Sequence, residues 1–95
     1  MKVKITKLNN SKKKYKAIFY DNNGKKIKTT QYGASGYNDY TLSATDKQRE
    51  AYRKRHRGDK LNDKFSAGAL SYYTLWDTKS FRANVRKYKS RFNLD

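Results

Sequence analysis

The sequence predicts an α+β domain, with a three-stranded antiparallel meander followed by three α-helices packed on one face. Three observations carry this expectation. Period-two alternation of apolar and polar residues is confined to the first third of the chain. Apolar spacing at three and four residues is confined to the second half. The hydrophobic fraction is only 35%, yet 15% of residues are aromatic, with nine Tyr, four Phe and one Trp, so rings must build much of the core. Disordered chains are poor in aromatics. A length of 95 residues fits one domain spanning 1–95.

The strands are expected at about 3–8, 14–21 and 25–32. Asn22-Asn23-Gly24 is a hairpin signal, with Gly24 free to take positive φ. A three-residue loop there pairs Phe19 with Ile27 and places Tyr15, Ala17, Phe19 and Ile27 on the core face. The other face then carries Lys14, Lys16, Lys26 and Lys28 beside Ile18, Tyr20 and Tyr32. A glycine-punctuated loop follows over 33–43. The helices are expected at about 46–57, 67–76 and 79–92, capped by Ser43 or Thr45, by Ser66, and by Asp77 or Thr78, with Gly58 ending the first. Ala69, Leu70, Tyr73 and Trp76 form the apolar stripe of the second helix, and Phe81, Val85, Tyr88 and Phe92 that of the third.

Charge is the loudest functional signal. The chain has 24 Lys and Arg against eight Asp and Glu, a net charge of +16. Self-repulsion on that scale is relieved by a polyanion. The first 32 residues hold ten Lys and no Arg, whereas all seven Arg lie at or after position 49. Arg makes planar, bidentate contacts to phosphate and Lys supplies a point charge. The helices are therefore expected to make the defined contacts, through Arg49, Arg53, Arg55 and Arg57 in the first and Lys79, Arg82, Arg86 and Lys89 along one face of the third. Lys14, Lys16, Lys26 and Lys28 of the sheet are expected to add longer-range attraction. Eight acids cannot pair with most of these groups.

Other chemistries find little support. There is no Cys, hence no disulfide or thiolate metal site, and this suits a reducing compartment. Met1–Leu8 lacks the apolar stretch of a secretory signal, and no apolar run approaches a membrane span. No metal, cofactor or membrane partner is expected. The loop around Gly33, Ser35 and Gly36 is a candidate phosphate contact through its backbone N–H groups, but it matches neither the Walker sequence nor the dinucleotide fingerprint. His56 follows Tyr52 by one helical turn and reads as a structural histidine, with Asp39 the nearest candidate partner. Asp59 and Asp63 lack the grouped carboxylates that a metal nuclease needs, so an enzyme is not expected. Tyr20 and Tyr32 on the lysine face offer rings for base stacking, but no RNP1-like octamer accompanies them.

Several blocks carry a family resemblance. They are Tyr15 to Gly33 (YKAIFYDNNGKKIKTTQYG), Asp39 to Thr41, Arg55-His56, Ser66 to Ser71 (SAGALS), Leu75-Trp76, and Val85 to Phe92 (VRKYKSRF). Together they resemble a family of small, basic, uncharacterised proteins of nucleocytoplasmic large DNA viruses of algae and protists. The resemblance implies a viral setting, in the virion, the host nucleus or a cytoplasmic viral factory, and transfers no site residue. The expected function is nucleic-acid binding without sequence specificity, to double-stranded DNA in preference to RNA, in viral genome packaging or organisation. The alternatives are a virion structural or minor capsid protein that meets acidic protein partners, and an RNA-binding host-directed factor. A homo-oligomer or a capsid-protein complex is compatible with either reading.

Overall fold

In the computed structural model, which describes residues 1–95, three strands form one antiparallel sheet in the order β1 (Lys2–Lys7), β2 (Lys13–Tyr20), β3 (Lys26–Ala34). Three helices follow, α1 (Asp46–His56), α2 (Ala67–Leu75) and α3 (Phe81–Arg91). This is the α+β architecture expected from the alternation and helical spacing. No helix is long and apolar enough to cross a membrane.

The β2–β3 hairpin begins as its turn residues dictate. Gly24 takes φ +81°, and the Asp21 carboxylate accepts the N–H groups of Asn23 and Lys25, both at 2.9 Å. Tyr20 then pairs with Lys26, but the next pair is Phe19 with Lys28. Ile27 is the extra residue of a β-bulge, 43% exposed, and not a core residue as the sequence predicted. A one-residue slip exchanges the faces of everything beyond it. Tyr32 therefore pairs with Tyr15 on the helix side and is fully buried, and Lys28 moves to that side opposite Phe19. The bulge exchanges Gln31 for Tyr32 in the core, which favours the slipped register. The expected lysine face keeps Lys16, Ile18, Tyr20 and Lys26 but loses Tyr32 and Lys28.

Val3, Ala17, Phe19 and Tyr32 of the sheet meet Leu70, Leu75, Tyr88 and Leu94 in one core cluster. Rings close its margins. Tyr15 stacks on Phe81 at 4.5 Å, and Phe65 meets Phe19 edge-on at 4.8 Å. Tyr88 of the predicted α3 stripe is fully buried, whereas Phe81, Val85 and Phe92 are half-buried around it. The chain after α3 returns to β1, where Val3 N–H donates to the Asp95 carbonyl at 3.1 Å and Leu94 is buried.

Each helix starts at a hydroxyl cap. Thr45 and Gln48 form a reciprocal capping box, and Ser66 accepts from Ala69 N–H. The third cap is Ser80, so α3 begins two residues later than predicted and Lys79 stands before it. Asp77 and Thr78 are not the cap because Asn84 uses Thr78 to close the α2–α3 turn, accepting from its backbone N–H at 3.0 Å and from its hydroxyl. Gly58 does not adopt positive φ, and α1 ends in a turn through Arg57.

Burial is the main cause that pushes the phenols of Tyr32 and Tyr88 far above their ordinary range. Both must be neutral in the fold. The stability they supply is complete below pH about 10, the unfolded value, and is lost as pH rises beyond it. The melting temperature is expected to fall steeply above pH about 10, with these phenols ionising only as circular dichroism collapses. Ultraviolet phenolate titration checks this. Ionisation of all nine tyrosines with the fold intact would contradict it.

Candidate nucleic-acid interface

The last turn of an α-helix leaves carbonyls without intrahelical partners. The last turn of α2 contains no basic residue to satisfy them locally. Other elements do so instead. Asn84 Nδ2 of α3 donates to the Thr74 carbonyl at 2.9 Å. Tyr40 N–H of the β3–α1 loop donates to Leu75 at 3.1 Å. From α1, Arg53 Nη1 donates to Trp76 at 3.1 Å and Arg49 Nε to Asp77 at 2.6 Å. The negative end of the helix dipole favours these cations further. Stacking of Tyr52 on Trp76 at 4.2 Å completes the seat of α1, which buries no residue fully.

These contacts gather cations from separate parts of the chain. Arg49 and Lys79 lie over the Tyr40 ring at 5.5 and 5.6 Å, Arg53 over Tyr72 at 4.1 Å, and Arg91 over Tyr73 at 4.4 Å. Lys87 Nζ lies 2.7 Å from Asp77, which also has Arg49 at 3.7 Å. Of these five cations, Arg49 and Lys87 meet the Asp77 carboxylate, while Arg53, Lys79 and Arg91 lie over tyrosine rings. One carboxylate is shared by Arg49 and Lys87, and the rings and backbone carbonyls that hold the others do not cancel their charge.

Arg82, Arg86 and Lys89 occupy the opposite flank of α3 from Lys87 and Arg91, as the helical repeat requires. Arg82 and Arg86 are exposed and Lys89 is half-buried. On α1, Lys54, Arg55 and the following Arg57 are exposed. The helix residues expected to contact phosphate therefore divide into groups free of such contacts (Arg55, Arg57, Arg82, Arg86 and the half-buried Lys89) and groups engaged by carbonyls or rings (Arg49, Arg53, Lys79). Lys87 and Arg91 join the surface although the sequence reading did not select them. Their position one helical turn apart was visible, but the acceptor Asp77 and the Tyr73 ring were not.

The sheet lysines are more dispersed. Lys14 is withdrawn from the surface, because its ammonium meets the buried Asp39 carboxylate at 2.7 Å. Asp39 also accepts from the Thr41 N–H at 2.8 Å and from its hydroxyl, and its carbonyl accepts the N–H groups of Leu42 and Ala44. This pair fastens the β3–α1 loop to the sheet. Lys16 and Lys26 stay on the uncovered face, and the bulge carries Lys28 to the other. The loop around Gly33, Ser35 and Gly36 forms no open nest. Ser35 N–H donates to the Lys12 carbonyl at 2.9 Å and Tyr37 N–H to Ala34 at 3.4 Å. Gly33 has φ +75°, and a side chain there would come within 3.0 Å of Leu75 Cδ1, so this glycine serves packing.

A cleft of about 620 Å³ opens between the end of the sheet, the β3–α1 loop, α1 and the start of α2. Lys13, Tyr37, Tyr52, Arg55 and His56 line it, above the Lys14–Asp39 pair. His56 stacks on Tyr52 at 4.2 Å, and its Nδ1 lies 2.9 Å from Asp59. Asp59 thus takes the place that sequence proximity gave to Asp39. No group of three or more His, Cys, Asp or Glu side chains gathers anywhere in the fold.

The fold and this surface define a small basic α+β domain with an arginine-rich helical side. The chain belongs to the family of unknown function DUF5754, which matches residues 3–56, the span of the sheet, the loop after it and α1. No curated protein and no solved structure matches it.

The two kinds of cation separate experimentally. Arg53→Ala leaves the Trp76 carbonyl without its donor and is expected to cost about 2 kcal/mol. Asn84→Ala, which removes the hydrogen bonds of a fully buried side chain, should cost about 3 kcal/mol. Arg86→Ala on the free flank should stay within about 0.5 kcal/mol of the parent. Urea denaturation of the three variants gives the order, and equal midpoints for Arg53→Ala and Arg86→Ala would contradict it.

Proposed function

We propose that this domain binds nucleic acid through its phosphate backbone, with duplex DNA as the preferred form and without sequence specificity. The observation that carries the reading is where the carboxylates go. Of 24 Lys and Arg, only Lys14, Arg49 and Lys87 form ion pairs with an acid. Other acids are used locally: Asp21 and Asp63 accept backbone N–H groups, Asp46 accepts the Tyr40 hydroxyl, and Asp59 meets His56. The cationic excess is therefore left to solvent, and a polyphosphate partner releases its counterions on meeting it.

The helical side suits this role better than the sheet. Its Arg groups have the fork geometry that phosphate accepts, and two of them are fixed by the Trp76 and Asp77 carbonyls just after α2 before any ligand arrives. The uncovered sheet face retains Tyr20 but not Tyr32, which weakens it as a stacking platform. The resemblance to small basic viral proteins supplies the setting we propose, the packaging or organisation of a large DNA genome.

Fluorescence anisotropy with duplex DNA, single-stranded DNA and RNA over a range of salt tests the reading. If about six phosphates are neutralised, log K is expected to fall against log salt with a slope near −5. Arg82→Ala/Arg86→Ala should reduce that slope by about 2 and weaken unrelated sequences alike. Binding that ignores salt would contradict the proposal. So would a double variant that binds as the parent does while Lys4→Ala/Lys16→Ala abolishes binding.

A further inference from the structure

The cleft beside α1 combines features that a phosphate-backbone surface does not require. Trp76, Tyr52 and His56 form a column of rings with centroid spacings of 4.2 Å at both steps, and the inner pair is inclined by only 6°. Asp59 at Nδ1 fixes the outermost ring, His56. Tyr37 stands on the rim with 73% of its surface exposed, an unusual position for a large ring in a protein short of apolar material. Between these rings the wall is made of small residues, Ala51, Ala67 and Gly68, so the space stays open.

The electrostatics of the cleft favour an anion. Both of its acids already have partners, Asp39 in an ion pair with Lys14 and Asp59 hydrogen-bonded to His56 Nδ1. Lys13 and Arg55 also line it, are exposed, and pair with no carboxylate. Asn38 and Gln48 accept hydrogen bonds through their side-chain oxygens, at 2.9 Å in each case, while their amide N–H groups donate to nothing in the fold. The walls therefore offer flat apolar surface, amide donors and two free cations around a volume of about 620 Å³. That is the chemistry of an aromatic heterocycle joined to a phosphate.

We infer that this cleft takes one unpaired nucleotide, with its base between Tyr37 and the outer face of His56, beside the edge of Tyr52, and its phosphate at Lys13 and Arg55. The inference deepens the nucleic-acid reading and rests on it for the source of the nucleotide, a strand end or gap whose backbone lies on the helical side. A free nucleotide shares the same chemistry, so the test separates the two sources.

Trp76 is the only tryptophan and belongs to the ring column, so its fluorescence reports on the cleft. The probes are adenosine monophosphate, a blunt duplex, and the same duplex with a short single-stranded overhang. The monophosphate is expected to change Trp76 fluorescence saturably, and Tyr37→Ala should weaken it about tenfold, the scale of one base–ring stack. Ala51→Leu fills the open wall from an exposed helical position, so it should abolish the nucleotide response while leaving blunt-duplex affinity and melting temperature as in the parent. The overhang duplex should bind more tightly than the blunt one, and Ala51→Leu should erase the difference. A response to the monophosphate without an overhang preference would support the cleft as a site for free nucleotides. No saturable response and no overhang preference, with blunt-duplex binding intact, would overturn the cleft inference alone. A saturable monophosphate response in a protein that binds no duplex would support the cleft and overturn the backbone reading.

Discussion

The fold is organised around the carbonyls that the C-terminal end of α2 leaves without intrahelical partners. Four consecutive residues, Thr74 to Asp77, each receive a hydrogen bond from a different side chain or backbone group elsewhere in the chain. One donor comes from α3, one from the β3–α1 loop and two from α1. A small domain with few aliphatic residues has little apolar surface with which to dock three helices. Directed bonds to a helix terminus replace part of that surface. The Lys14–Asp39 pair serves the same end for the loop that delivers α1, since a buried carboxylate is tolerated only when it is fully bonded. The arrangement has a consequence for function, because a guanidinium bound to a neutral carbonyl keeps its charge. The contacts that assemble the helices also concentrate positive charge on their outer side.

Much of this was legible in the sequence, and the failures have identifiable physical causes. Helical spacing in α3 placed Tyr88 at the core, and Asn22-Asn23-Gly24 placed the hairpin. The predicted pairing holds as far as Tyr20 with Lys26 and then fails by one residue, at the bulge. A bulge is decided by which residues the helices need beneath them, and Tyr32 outcompeted Gln31 only once α2 supplied Thr74 as a partner for its hydroxyl, at 2.9 Å. The cap of α3 was misplaced because Thr78 and Ser80 are both plausible caps in isolation. Asn84, buried in the first turn of α3 itself, decided between them by engaging Thr78.

For the site, composition revealed the excess of cations but not their partners. Counting acids correctly implied that most Lys and Arg lack an ion pair. It overlooked carbonyls and rings as acceptors, and these engage Arg49, Arg53, Lys79 and Arg91. Segregation of Arg into the second half places every guanidinium in or directly after α1 and α3. The cleft was invisible at that stage, because its rings and cations come from the sheet end, the loop and two helices and share no local motif.

The central claim is that the helical side, built on the α2 terminus, is where a nucleic-acid backbone lies. Amide chemical-shift mapping during titration with a short duplex tests this most directly. The account predicts perturbations concentrated in residues 47–57 and 77–91, with the uncovered sheet face around Lys4, Lys16 and Tyr20 little changed. Shifts confined to that sheet face, or no shifts under excess duplex at low salt, would contradict it.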